Sequence, residues 1–122
     1  MTKILLVDDE QITTQLIELL LTKDGYMVLS VNDSQKALTA ASGFAPDLII
    51  LDLMMPKVNG IDICTALRAN PRFAEQPILF FTALGNLDSK VAAYQAGATD
   101  FLTKPVQPAE LRAKVKALLA AR

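Results

Sequence analysis

The stretch Leu48-Ile49-Ile50-Leu51-Asp52 places four consecutive apolar side chains directly before an acid. An apolar run without polar alternation is typical of a parallel strand that is covered on both faces. Longer amphipathic stretches separate this run from others like it. The alternation predicts five strand–helix units, (βα)5, in an open and mostly parallel sheet. The four other runs are Ile4–Val7, Met27–Val31, Ile78–Phe81 and Phe101–Leu102.

The stretches between the runs space their apolar residues three or four positions apart, as a helix does. Ser34 is predicted to cap the second helix, and Pro108 suits the first turn of the last helix. Because no linker-like segment interrupts the pattern, we predict one domain over residues 1–122. The apolar positions that indicate the helices are, in order, Ile12, Leu16, Leu19 and Leu20; Ala37, Leu38 and Ala41; Ile61, Cys64 and Leu67; Leu87, Val91 and Tyr94; and Leu111, Val115, Leu118 and Leu119.

The composition excludes several classes of protein. The 122 residues carry a net charge of −1, whereas a nucleic-acid-binding surface is expected to have a basic excess. The chain has no histidine and a single cysteine, Cys64, which excludes histidine-based catalysis and a cysteine-rich zinc site. Any metal must therefore be held by oxygen atoms, which favours Mg2+, Mn2+ or Ca2+.

The sequence indicates where the protein works. Its apolar runs are shorter than a membrane-spanning helix, and the N-terminal residues turn acidic too early for a signal peptide. A single cysteine fits a reducing compartment. We therefore expect a cytoplasmic protein that does not associate with membranes.

Polar side chains follow all five runs, at the carboxyl edge of the predicted sheet, where ligands bind in such folds. The second run ends in Asn32 and Asp33, and the other four are followed, in order, by Asp8, Asp9 and Glu10; by Asp52; by Thr82; and by Thr103 and Lys104. Carboxylates that converge repel one another unless a cation neutralises them, and a lysine and a threonine can hold phosphoryl oxygens. A carboxylate in this setting can attack phosphorus. Together, the residues at this edge of the sheet predict metal-dependent phosphorylation of an aspartate.

Taken in order, the motifs at the strand ends are similar to those of a known family. They are Val7-Asp8-Asp9-Glu10, Leu51-Asp52-Leu53-Met54-Met55-Pro56 with Gly60, Phe81-Thr82-Ala83, Gly97-Ala98-Thr99-Asp100-Phe101, and Lys104-Pro105. Over essentially its whole length the chain resembles the receiver (CheY-like) domain of bacterial two-component response regulators. The resemblance implies a flavodoxin-like, doubly wound α/β sheet of five parallel strands in the order 2-1-3-4-5, with helices on both faces.

The resemblance also implies a set of metal ligands. Asp52 resembles the phosphoacceptor and a ligand of Mg2+, for which Mn2+ would substitute. Asp9 resembles the other direct ligand, and Asp8 would reach the ion through water. The backbone carbonyl of Met54 would complete the protein's share of the coordination shell.

Further roles follow from the resemblance for the phosphoryl group and the switch. Lys104 would bond one phosphoryl oxygen, and the peptide bond between Lys104 and Pro105 would be cis. Thr82 resembles the switch hydroxyl that moves to bond another oxygen. Phe101 occupies the position of the switch aromatic, whose ring turns inward as Thr82 moves.

Two positions are expected to tune the lifetime of the phosphoryl group. Met54 lies two residues after Asp52, and Leu84 lies two residues after Thr82. Both are apolar and offer no hydrogen bond to an attacking water, so we expect slow autodephosphorylation. Elsewhere, Thr99 replaces the first acid of the Gly-Ala-Asp-Asp segment that dimerising receivers use, which favours a monomer or a weak dimer.

The resemblance implies a phosphorelay response regulator, a signalling module that catalyses only its own aspartyl phosphorylation and dephosphorylation. Its partners would be a sensor histidine kinase or phosphotransfer protein and an unidentified downstream effector, with no direct nucleic-acid binding by this domain. An aspartate-nucleophile phosphohydrolase, a docking-only receiver and a nucleotide- or flavin-binding module are the alternatives. The last lacks a glycine-rich phosphate loop after the first strand, where the chain reads Asp8-Asp9-Glu10-Gln11.

Overall fold

Five parallel strands form one sheet in the order β2-β1-β3-β4-β5, as predicted. The structure, a computed structural model, describes residues 1–121. Arg122, the last residue of the predicted domain, lies outside the described residues. The strands are β1 (Lys3–Val7), β2 (Met27–Val31), β3 (Leu48–Leu51), β4 (Ile78–Thr82) and β5 (Asp100–Thr103). The helices are α1 (Gln11–Lys23), α2 (Ala37–Phe44), α3 (Gly60–Ala69), α4 (Leu87–Ala96) and α5 (Pro108–Ala120).

The side chains of the central strands alternate between two cores. Leu5 and Ile49 face α2, α3 and α4, whereas Ile4 and Ile50 face α1 and α5. All residues of β3 and β4 are buried, because helices cover both faces of the sheet. This explains the continuous apolar runs of β3 and β4, whereas β2 lies at the edge of the sheet and leaves Met27 and Leu29 exposed, contrary to the prediction for that run.

Most of the apolar positions that indicated α1 and α4 are not the positions that these helices bury, although Leu20 of α1 packs against the core. In α1 the buried residues are Thr14, Ile17 and Leu21, while Ile12, Leu16 and Leu19 are exposed. In α4 the buried residue is Ala93, and Leu87, Val91 and Tyr94 are exposed. Spacing therefore located both helices, but each helix carries an outward apolar row beside its buried one.

The prediction that Ser34 caps the second helix is wrong. The N-cap of α2 is Lys36, which makes no side-chain capping bond, and Asp33 caps the turn before it by accepting a hydrogen bond from the backbone N–H of Gln35 at 3.0 Å. A short 3₁₀ turn, Ser34–Lys36, then leads into α2. The Ser34 hydroxyl instead donates to the carbonyl oxygen of Pro56 at 2.7 Å. A neighbouring loop, and not the helix end, takes this side chain.

Parallel pairing brings the carboxyl ends of four strands to one edge. Val7 of β1 pairs with Leu51 of β3, and Leu51 pairs in turn with Phe80 of β4. Thr82 at the end of β4 pairs with a residue at the end of β5. The residues that follow these strands therefore lie side by side.

Among the described residues, no helix has the length and hydropathy that crossing a bilayer requires.

Candidate functional site

Asp52 lies in the middle of this edge, directly after β3. Its backbone N–H donates to the carbonyl oxygen of Val7 at 2.9 Å, which fixes the start of the β3–α3 loop. The side chain is buried, with 5% of its surface exposed. Its Oδ2 atom lies 3.3 Å from Lys104 Nζ, and its Oδ1 atom is buried without a hydrogen-bond partner in the described chain. A buried carboxylate oxygen without a partner calls for a cation or a donor that protein atoms do not provide.

Lys104 follows β5 and points its ammonium into the acidic edge. Its backbone N–H donates to the carbonyl oxygen of Thr82 at 2.8 Å, and the peptide bond to Pro105 is cis. The ammonium lies 2.8 Å from Asp8 Oδ2 and also contacts Glu10 Oε1. The Lys104 ammonium therefore lies within ion-pair distance of three carboxylates, those of Asp8, Glu10 and Asp52.

Burial and pairing shift the pKa values of Asp8 and Lys104 in opposite directions. Burial raises the pKa of Asp8 to about 6, although the hydrogen bond from Lys104 opposes this shift. Burial alone would lower the pKa of Lys104, but its hydrogen bonds to Asp8 and Glu10 outweigh that and raise the pKa. The ammonium is therefore permanently charged at neutral pH, and a second cation would favour the ionised form of Asp8.

The donor set fits a hard divalent cation. Carboxylate oxygens of Asp8, Glu10 and Asp52 all lie within 4.8 Å of one another. Oxygen donors with excess negative charge are those that Mg2+ and Ca2+ prefer. The expected direct ligand Asp9 is not one of these three; its residue is exposed and lies at the edge of the adjoining cavity. Glu10 was not among the predicted ligands.

One signal in the sequence could have pointed to Glu10. It stands at the N-cap of α1, where Ser, Thr, Asp or Asn would be expected to cap the helix, and its side chain makes no capping hydrogen bond. A glutamate is long enough to reach away from the helix end. Its side chain goes to Lys104 instead.

A cavity of about 300 Å³ opens over Asp52 and brings most of the predicted site residues together. Both expected tuning residues contribute to it, one from each of two neighbouring loops. Its volume lies at the lower end of those of ligand pockets, which fits a small ligand. The residues that line it are Asp9, Glu10, Asp52, Met54, Thr82, Ala83, Leu84 and Lys104.

The two expected switch residues lie on adjacent strands. Thr82 is buried, and its Oγ1 accepts a hydrogen bond from the backbone N–H of Leu84 at 3.3 Å. The ring of Phe101 is 8% exposed and packs in the core that faces α3 and α4. The ammonium of Lys90 on α4 lies 5.9 Å from the centre of that ring. Shape and a cation–π contact therefore couple Phe101 to α4.

Thr99 is an exposed residue of the α4–β5 turn. Its Oγ1 accepts from the backbone N–H of Ile78 at 3.0 Å and from Arg68 Nη2 at 3.3 Å. The next residue, Asp100, forms an ion pair of 2.8 Å with Lys114 on α5. The hydroxyl of Thr99 is thus hydrogen-bonded within the domain.

Comparison with known proteins identifies related chains. The pattern of the response regulator receiver domain matches residues 4–116. The chain is 42% identical over 119 residues to the DNA-binding dual master transcriptional regulator RpaA of Synechocystis, covering 98% of this chain and 49% of that protein. It is 43% identical over 117 residues to the alkaline phosphatase synthesis transcriptional regulatory protein PhoP of Bacillus subtilis, covering 96% of this chain and 48% of that protein. The chain thus spans about half the length of these relatives.

A solved structure supports the same grouping. The chemotaxis protein CheY4 of Vibrio cholerae superposes on this chain with a TM-score of 0.92 at 31% sequence identity. The superposition covers 97% of this chain and 98% of that one. The likeness therefore extends over the whole sheet and all its helices.

Proposed function

This chain belongs to the response regulator receiver family, a family of two-component signalling modules, and on that premise we propose that Asp52 is its phosphoacceptor. The whole protein would be a response regulator that a phosphorelay switches on. In this proposal the domain catalyses its own phosphorylation and dephosphorylation and turns over no other substrate.

The observation that carries the proposal is the unpartnered Oδ1 atom of Asp52. The atom is buried, its residue lines the cavity of about 300 Å³, and neighbouring carboxylates surround it with negative charge that a cation would neutralise. A free lone pair at such a position is what an attacking nucleophile needs.

The proposed reaction transfers a phosphoryl group to Asp52. An oxygen of the Asp52 carboxylate forms a bond to phosphorus, and the bond from phosphorus to its leaving group breaks. The leaving group is the imidazole nitrogen of a phosphohistidine or the carboxylate of a small acyl phosphate, and it takes the bonding electron pair. Lys104 would then bond one phosphoryl oxygen and Thr82 another.

Asp8, Asp9 and Asp52, with the carbonyl oxygen of Met54, are the proposed ligands of Mg2+, and Mn2+ would substitute for it. When bound, the metal supplies positive charge that offsets the charge gathering on the phosphoryl oxygens. The burial of Asp8 and Asp52 supports this assignment, since buried carboxylates need such charge most.

The output would be a change of surface near α4 and β5. Movement of the Thr82 hydroxyl toward the phosphoryl group would break its bond to Leu84 and alter packing beside Phe101. Phosphorylation would stabilise one of two existing arrangements of this face. The tuning roles of Met54 and Leu84 belong to the same proposal.

The partners follow from this chemistry. A sensor histidine kinase or phosphotransfer protein would supply the phosphoryl group, in the cytoplasm, and a downstream effector would read the switched face. The domain itself would not contact nucleic acid, consistent with its net charge of −1. We propose a monomer or a weak dimer, because Thr99 is bonded inside the domain.

Intact-mass measurement after incubation with acetyl phosphate and Mg2+ tests the proposal. We expect the parent protein to gain the mass of one phosphoryl group. Asp52→Asn, which keeps the shape but loses the nucleophile, should gain none, and neither should the parent without Mg2+. No gain in the parent, together with no change in its NMR spectrum on adding beryllofluoride and Mg2+, would contradict the proposal.

A further inference from the structure

Glu10 is placed to act on the phosphorylation site although no predicted role includes it. Its side chain, 59% exposed, lies at the mouth of the cavity above Asp52. It also borders a second, more apolar cavity of about 470 Å³ between α1 and the residues after β5. Any small phosphodonor that enters the site from this side passes the Glu10 carboxylate.

The ammonium of Lys104 is surrounded by carboxylates. Its Nζ atom donates hydrogen bonds to Glu10 and Asp52 and lies 2.8 Å from Asp8 Oδ2. A bond to a phosphoryl oxygen draws the ammonium away from at least one of these charges. Asp8 and Asp52 are buried, with side chains 1% and 5% exposed, so water cannot replace the ammonium there. Glu10 is the partner that water can solvate.

We propose that Glu10 restrains Lys104, and that the ammonium must leave the Glu10 carboxylate before it can bond a phosphoryl oxygen on Asp52. This inference rests on the proposed function. Glu10 thereby lowers the rate of phosphorylation in two ways. It occupies a donor that the phosphoryl group needs, and its own charge repels an anionic phosphodonor at the mouth of the site.

Two substitutions separate these effects. Glu10→Gln removes the charge and with it the ion pair. Glu10→Asp keeps the charge at the mouth but is one methylene shorter, so it cannot reach Lys104. Glu75→Gln is the matched control, because it makes the same charge change at an exposed residue of the α3–β4 connection, far from the site.

The rate of phosphorylation by acetyl phosphate at saturating Mg2+ is the first measurement. We expect Glu10→Gln to react about threefold faster than the parent, the scale of a partly exposed ion pair. Glu10→Asp should show most of that gain, and Glu75→Gln should match the parent. Raising the ionic strength should reduce the difference, since partly exposed charges are screened.

Calorimetric titration with Mg2+ is the second measurement and needs no phosphorylation. Glu10→Gln should bind Mg2+ more weakly than Glu10→Asp, because only the aspartate keeps the negative charge near the ion. The order of the variants would then differ between the two measurements, which a general loss of structure would not produce.

The outcomes distinguish this inference from the proposed function. A parent protein that gains no phosphoryl group would overturn both. If the parent is phosphorylated and Glu10→Gln reacts no faster, the restraint on Lys104 is overturned alone. If Glu10→Gln is faster but Glu10→Asp matches the parent, charge repulsion explains the rate and the proposed contact does not.

Discussion

Two loops flank Asp52, and the structure anchors them very differently. The β3–α3 loop, residues 52–59, is tied at several points. The backbone N–H of Gly60 donates to Leu53 at 2.8 Å, and Ser34 bridges the carbonyl of Pro56 and the N–H of Val58 at 2.7 and 3.2 Å. In the described chain, the hydrogen bonds of the β4–α4 loop, residues 83–86, reach no further than four positions along the sequence.

The difference suits the role proposed for each loop. Long-range bonds hold the β3–α3 loop, which would keep the Met54 carbonyl in place for the proposed Mg2+ site. Local bonds restrain the β4–α4 loop less, which would let it change conformation at low cost in the proposed switch. One edge of the sheet thus combines a strongly anchored loop with a weakly anchored one.

The largest effect is expected at Gly60. A Cβ atom added there would lie 2.1 Å from the carbonyl oxygen of Asp52, so the backbone of the anchored loop would have to move. We expect Gly60→Ala to lower the free energy of unfolding by about 3 kcal/mol or more. Gly85→Ala is the matched change in the other loop, where the new Cβ would meet only the Thr103 methyl group at 2.5 Å. That variant should lose about 1 kcal/mol.

Urea unfolding of both alanine variants would measure this contrast. Equal losses of unfolding free energy at Gly60 and Gly85 would mean that the two loops are equally constrained, which would contradict the difference in their anchoring.

Ser34 should have the next largest effect. Ser34→Ala removes both bonds to the anchored loop, and because the Val58 N–H still donates to the Pro56 carbonyl at 2.9 Å, the cost should be about 1 kcal/mol. Mg2+ binding should weaken as well, because the loop carries the Met54 carbonyl. Ser89→Ala, at the start of α4 beside the other loop, should change stability by less than about 0.5 kcal/mol. Normal Mg2+ affinity in a destabilised Ser34→Ala would show that the bridge supports only the fold.

Met54 and Leu84 test one residue from each loop. Both line the cavity over Asp52, and neither offers a hydrogen bond to a water that attacks the phosphoryl group. We expect Met54→Asn combined with Leu84→Glu to shorten the lifetime of the phosphorylated protein about tenfold, by orienting that water. Loss of the phosphoryl group followed by mass would check this. A parent lifetime of seconds, unchanged in the double variant, would contradict it.

The sequence patterns were sufficient to predict the strands and the edge where the candidate site lies, and the resemblance to the receiver family implied the strand order. Continuous apolar runs such as Leu48–Leu51 indicate strands that are buried on both faces of the sheet. Because these strands are parallel, Asp52 and Lys104 come to the same edge. Both signals are local or follow from topology, so they can be predicted without knowing how side chains pack.

The features that the sequence could not predict depend on which partners the side chains reach in the folded chain. Ser34 and Asp33 are both good caps in sequence, and only the approach of the β3–α3 loop decides that Ser34 turns to Pro56. Likewise, Glu10 reaches Lys104 across 94 positions of sequence. Outward apolar residues such as Ile12 satisfy helical spacing as well as buried ones do, so periodicity alone could not tell which row faces the sheet.

Lys57 should show the smallest effect, and the only gain in stability. It lies in the anchored loop with a φ of 74°, a left-handed conformation that a side chain disfavours. Lys57→Gly should relieve this strain, and after the greater freedom of glycine in the unfolded chain the net gain should be about 0.5 kcal/mol. The pair with Asp33, 3.8 Å apart and exposed, contributes little. Lys57→Ala is the control, because it loses the same ion pair but keeps the strained backbone, and urea unfolding should place it at or below the parent. If alanine and glycine are equally stable, the loop is not held in the left-handed conformation, and its anchoring is looser than its hydrogen bonds imply.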